Sequence, residues 1–126
     1  MSLLIKCSDG ITIEISDDMS LGETLENLKL DTEDDSAIIT VDSISSDVFN
    51  IIIEFSSKNL KAPELTDIWD TTEPYLFFKA LDFKLIIEMT SAADFLQYED
   101  LLDCCVRYHA ETIKNKTVDE IRELYL

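Results

Sequence analysis

Ile11, Ile13 and Ile15 alternate with Thr12 and Glu14, the period-two pattern of a strand with one buried face. Leu3 to Cys7 precedes them across Ser8-Asp9-Gly10, so the pattern predicts an N-terminal β-hairpin. Ser20 followed by Glu23 reads as a capping box, and Leu21, Leu25 and Leu28 then recur at helical spacing, predicting a short helix to about Leu30. The acidic stretch Asp31 to Ser36 ends it. Ala37 to Val41 suits a third strand. Ser45 or Ser46 then caps a helix whose apolar face is Val48, Phe49, Ile52, Ile53 and Phe55. A long loop from Lys58 to about Thr71 leads to Thr72-Glu73-Pro74, where an early proline marks a helix start, and the piece from Tyr75 to Leu81 is expected to be brief.

Asp82 caps the next predicted helix, with Phe83, Ile86, Ile87, Thr90 and Ala93 on one side and Asp94 and Phe95 near its end. Another runs from about Glu99 to Lys114, with Leu102, Cys105, Val106, His109 and Ile113 along one stripe. Thr117 and Glu120 form a second capping box, opening a last helix with Val118, Ile121, Leu124 and Tyr125. Strands are thus followed by helices only. The expectation is an α+β fold, a small three-stranded sheet covered by a helical cluster.

Composition narrows this further. The 126 residues, 46% of them hydrophobic, suffice for one domain with one core. Two glycines and two prolines leave no linker and little turn material for an all-β design. Asp and Glu number 27 against 10 Lys and Arg, a formal charge of -17, so the surface repels phosphate backbones and anionic lipid. Nucleic acid and membrane are therefore not expected as partners, whereas basic protein surfaces are. Cys7, Cys104 and Cys105 are odd in number and the last two are adjacent, which speaks against a disulfide framework and for a reducing compartment. Leu3 to Ile5 is too short for a signal-peptide core, so cytoplasmic and nuclear residence is expected. Asn115-Lys116-Thr117 is formally a glycosylation acceptor, but without a secretory signal it reads as a helix boundary.

Candidate chemistry is sparse. His109 is the only histidine, and no nucleophile motif accompanies it. Cys105 lies four residues earlier on the same helical face, a spacing that starts a zinc site, yet Cys104 points about 100° away and core packing is the simpler reading. Asp31, Glu33, Asp35 and Asp42 fall in a calcium-loop register, but Ser36 stands where the sharp-turn glycine belongs, so a solvated acidic loop is expected. No glycine-rich phosphate loop occurs. The chain is expected to be non-catalytic, with no cofactor and no metal.

Several stretches carry a resemblance: Ile5-Lys6-Cys7-Ser8-Asp9-Gly10, Trp69-Asp70, Ala92-Ala93-Asp94-Phe95-Leu96, Leu101-Leu102-Asp103, and Lys114-Asn115-Lys116-Thr117-Val118-Asp119-Glu120-Ile121-Arg122. In this order and spacing the chain resembles the Skp-type adaptors of SCF ubiquitin ligases, which have the BTB/POZ fold. The segment from Lys114 onward looks more like the Skp branch than elongin C.

The resemblance implies a scaffold in which residues 1–98 form a BTB/POZ-like cullin-binding region. Residues 99–126 then supply C-terminal helices and a partial F-box-binding region, within one compact domain; Skp-type adaptors continue into two further helices. An Asn-Tyr pair of the family's Ala-Ala-Asn-Tyr-Leu stretch meets the cullin, and Asp94 and Phe95 occupy those positions here, keeping the aromatic anchor without its hydroxyl. F-box contacts map onto Ile113, Val118, Ile121, Leu124 and Tyr125. Asn115 and Val118 replace the family's Gly and Pro; Asn tolerates a left-handed cap, while Val fixes the helix start less firmly. The implied partners are the N-terminal domain of a cullin and an F-box protein. The competing reading is a self-associating structural BTB module, a homodimer or a subunit of another scaffold such as a kinetochore complex.

Overall fold

A computed structural model describes residues 2–16, 19–31, 38–64 and 66–125. The hairpin forms as β1 (Ser2–Lys6) against antiparallel β2 (Thr12–Ser16), with Leu3 opposite Ile15 and Ile5 opposite Ile13. Gly10 turns the chain at φ 82°, a left-handed position that suits a residue without Cβ. After α1 (Glu23–Asp31), β3 (Ile38–Thr40) pairs parallel to β1, giving the sheet order β2-β1-β3. Ile5, Ile15 and Ile39 point from the sheet into the core. The acidic stretch at 32–36, and with it most of the calcium-loop register, lies outside the described residues, as do Ala37 and the side chain of Leu28.

Helix α2 (Ser46–Ser57) starts where Ser45 accepts a hydrogen bond from the Val48 amide, and it buries Val48, Phe49, Ile52 and Phe55. Its N-terminus is tied to the hairpin. The Asp9 carboxylate accepts from the Ser46 hydroxyl at 2.6 Å and from the Ser46 amide at 3.3 Å, and these bonds, the hydroxyl's foremost, hold the Asp9 carboxyl below its ordinary value. Trp69 opens a short 3₁₀ turn (Trp69–Thr71) within the long loop. The Arg107 guanidinium lies 5.3 Å over its ring and donates to the carbonyls of Glu64 and Asp67, pinning the loop to the helix that carries Arg107. Thr72 caps α3 (Glu73–Lys79), and Asp82 caps α4 (Phe83–Leu96).

Two buried stripes are rotated from those predicted. In α4 the buried residues are Ile86, Met89, Ala92, Ala93 and Leu96, leaving Phe83, Ile87 and Thr90 half-buried. In α5 (Glu99–Ile113) they are Leu101, Cys104 and Cys105. The predicted line through Leu102, Val106, His109 and Ile113 lies at the margin, with Val106 exposed. Small residues, two alanines and two cysteines, let these helices pack closely; the predicted stripes include Ala93 and Cys105 but miss Ala92 and Cys104. The first capping box is also displaced. Helix α1 begins at Glu23, and Gly22, not Ser20, precedes it with φ 111° and a carbonyl accepting from the Glu26 amide. The second box forms as predicted and opens α6 (Val118–Tyr125). No helix among the described residues is long and apolar enough to cross a membrane.

Candidate functional site

Burial pushes the thiols of Cys104 and Cys105 up to about 12, and Cys105 touches the Thr90 hydroxyl rather than a metal-type partner. Among the described residues no group of three His, Cys, Asp or Glu side chains is arranged to hold a metal ion. Cys105 is fully buried and His109 half-buried beside it on α5, and the residues singled out for partner contacts lie on two exposed surfaces.

Phe95 sits one residue before the end of α4 and is 44% exposed; Asp94 beside it is exposed as well. The backbone under them is held on three sides. Gln97 adopts a left-handed conformation, and the amides of Gln97 and Tyr98 return to the carbonyls of Asp94 and Ala93 at 3.2 and 3.0 Å, a Schellman closure. The Thr24 hydroxyl donates to the Phe95 carbonyl at 2.7 Å, satisfying a helix-end group from α1. Finally, Gly22 lies so close to the Leu96 carbonyl that a Cβ there would overlap it. An apolar ring is thereby presented on a rigid corner with its carboxylate neighbour.

The second surface is α6. Thr117 and Glu120 exchange bonds, the Thr117 amide and hydroxyl donating to the carboxylate and the Glu120 amide donating to the hydroxyl. These bonds, that from the Thr117 amide first, lower the Glu120 pKa. None of its side chains is buried: Ile121 and Leu124 are half-covered, Val118 is 67% exposed and Tyr125 41%. Ile113, at the end of α5, is half-buried alongside. Tyr125 alone of this helix has ring contacts inward, stacking at 5.7 Å on His109 and edge-on at 5.3 Å to Phe83, with its hydroxyl 2.7 Å from His109 Nδ1. Asn115 is not left-handed, the described non-glycine residues with positive φ being Asn59 and Gln97; the α5–α6 turn closes through the Lys116 amide on the Ile113 carbonyl at 3.0 Å.

Sequence reasoning missed three of these supports. Thr24 and Gly22 carry no local signal, because their partners lie about seventy residues away in the chain. The Asp9–Ser46 link was equally silent, although Asp9 fell within a motif already singled out.

The fold and surfaces define an α+β domain with apolar side chains left open at the close of α4 and along α6. Comparison with known proteins shows what this domain is similar to. Residues 99–125, which span α5 and α6, match the Skp1 family, dimerisation domain. SKP1-like protein 5 of Arabidopsis thaliana is 26% identical over 127 residues, covering 95% of this chain and 80% of that protein. E3 ubiquitin ligase complex SCF subunit sconC of Aspergillus terreus is 25% identical, covering 98% and 83%. Over a 48-residue stretch, 38% of the chain, identity to SKP1-like protein 21 of Arabidopsis thaliana reaches 46%. The chain is thus similar to Skp1-like proteins over nearly its whole length, and the small three-stranded sheet with six α-helices among its described residues is consistent with a Skp1-like BTB fold.

Proposed function

We propose that the chain is the adaptor subunit of an SCF-type ubiquitin ligase, a non-catalytic bridge between a cullin and an F-box substrate receptor. The observation that carries this reading is the pair of open apolar surfaces, Phe95 with Asp94 on one and the α6 face on the other, in a Skp1-like chain. Monomeric proteins seldom leave aromatic and aliphatic side chains together on a short surface helix without a use for them. Asp94 and Phe95 meet the cullin N-terminal domain, and Ile113, Val118, Ile121, Leu124 and Tyr125 meet the F-box. The surplus of carboxylates favours basic partner surfaces and speeds encounter with them. The buried free thiols suit the cytoplasm and nucleus, where such assemblies would form.

Reconstitution tests the bridge. The purified chain, a cullin N-terminal domain and an F-box domain should co-elute as one species on size exclusion, whereas cullin and F-box alone should elute apart. A chain that instead forms a stable homodimer and ignores both would support the self-associating BTB module and end the adaptor reading.

A further inference from the structure

The hydrogen bonds around His109 run in one direction. Thr90 donates its single hydroxyl proton to the Ile86 carbonyl at 2.7 Å, so toward His109 Nε2, 2.9 Å away, it acts as acceptor. The tautomer that leaves this Thr90 proton on the Ile86 carbonyl is the one with the imidazole proton on Nε2. In the neutral ring Nδ1 is then the acceptor, and the Tyr125 hydroxyl donates to it at 2.7 Å. A chain of donors leads from the last turn of α6, through the His109 ring, into the backbone of α4. Around it, Phe83 meets both rings edge-on at 5.4 and 5.3 Å, and Tyr125 covers the imidazole face.

We propose that His109 is the positioning residue that seats α6, holding it through Tyr125 while the imidazole is neutral and releasing its grip when the ring is protonated. This rests on α6 being the F-box-docking helix, whose presentation the latch would control. Eight residues are too few to persist as a free helix in water. With no side chain of α6 buried, the capping box at its start and Tyr125 at its end are its strongest attachments. Protonation puts a hydrogen on Nδ1, so the Tyr125 hydroxyl must turn round to accept, and a cation is left in a partly apolar pocket. Among the described residues, the groups meeting the ring are Phe83 and Thr90 from α4, Cys105 one turn back on α5 by way of Thr90, and Tyr125 from α6, all uncharged at neutral pH. Burial lowers the His109 pKa below its ordinary 6.5. The latch is thus at full strength above that value and weakens as pH falls through the lowered one.

Because the chain holds a single histidine, its ring signals in NMR need no assignment. The ring nitrogens of the full chain should report the Nε2-protonated tautomer and a pKa below 6.5. In Tyr125→Ala the pKa should move up toward 6.5, and amide exchange in residues 118–125 should quicken about tenfold while α4 and α5 keep their protection. Tyr125→Phe, which keeps the ring cover and loses the hydroxyl, should raise the pKa less than Tyr125→Ala does and weaken the tautomer bias without removing it, since Thr90 still meets Nε2. A wild-type histidine that titrates as in solution, or one indifferent to both substitutions, would overturn the latch. In a separate arm, an F-box domain should bind wild type more weakly once the His109 ring is protonated, and this pH dependence should be lost in Tyr125→Ala, whose overall weakening also includes a lost contact. Wild-type F-box binding that ignores protonation of the ring overturns control of presentation. If the F-box domain fails to bind wild type at all, the docking reading falls while the latch is still judged by the NMR arm.

Discussion

Replacing Phe95 by Lys is the sharpest perturbation of the proposed cullin contact. A phenylalanine side chain carries on the order of 200 Å2 of surface, and Phe95 is 44% exposed, so roughly 90 Å2 remains for a partner to cover. At ~25 cal/mol per Å2 its complete burial contributes about 2 kcal/mol, a loss of ~30-fold in affinity on removal. Lysine adds to that loss, because an ammonium buried opposite an apolar cullin surface has no compensating charge. The remaining half of the ring packs on its own protein, so the fold loses stability too, at most ~3 kcal/mol by the same coefficient. Calorimetric titration of a cullin N-terminal domain therefore needs a thermal melt of each variant beside it. With the variant folded at the assay temperature, affinity should fall by ~30-fold or more. Phe95→Tyr supplies a positive control, since it restores the hydroxyl that the family resemblance places there; affinity should hold, or rise where the hydroxyl finds an acceptor. An unchanged Kd for folded Phe95→Lys would refute the assignment of this corner to the cullin.

Other consequences are open to direct measurement. Gly22→Ala forces a side chain into a φ of 111° and against the Leu96 carbonyl, so urea denaturation should show a loss of about 1–3 kcal/mol together with weakened cullin binding; an unmoved midpoint would refute the close approach. Thiols raised to about 12 and fully buried should leave Cys104 and Cys105 unreactive to a disulfide reagent at pH 8 until the chain unfolds, and prompt labelling of the native protein would contradict their burial. Thr117→Ala removes the hydroxyl of the second capping box at a cost of ~1 kcal/mol, read as faster exchange confined to α6. Because Glu120 is depressed from an ordinary 4.5 by its bonds to Thr117, the box stabilises fully above 4.5 and is lost as pH falls through the depressed value. Wild-type α6 should therefore fray in acid, whereas an exchange profile flat across that range would exclude the carboxylate.

The elements that could be read from the sequence are those written locally. Alternating isoleucines announced the hairpin, Ser45, Asp82 and Thr117 announced their helices, and the solved order of strands and helices matches the expected α+β fold. What could not be read was which side of each late helix faces inward. In α5 the sequence offers two stripes that share Cys105, and the close packing of α4 on α5 selects the one with Leu101 and Cys104. That choice depends on the partner helix, which periodicity does not encode. The same limit applied to the corner under Phe95. The residue itself was visible through its motif, but Thr24 and Gly22, which hold it, become neighbours only when α1 folds back on the end of α4.

The two surfaces are prepared for binding in opposite ways, and this bears on how an adaptor would assemble. Phe95 stands on a backbone whose free groups are already bonded, so little conformational freedom is left to lose when a partner covers the ring, and affinity there should track buried area closely. Helix α6 is held at its two ends by a capping box and a tyrosine, with its apolar middle uncovered. A partner docking there supplies the burial that the helix lacks and must also cover the ordering cost of any frayed population. Binding at α6 should consequently respond to everything that shifts that population: pH, the cap, and the state of His109. Binding at Phe95 should be indifferent to all three. A cullin affinity that followed the protonation of His109 would mean that the two surfaces communicate through α4, the one helix that carries both Phe95 and the Thr90 acceptor.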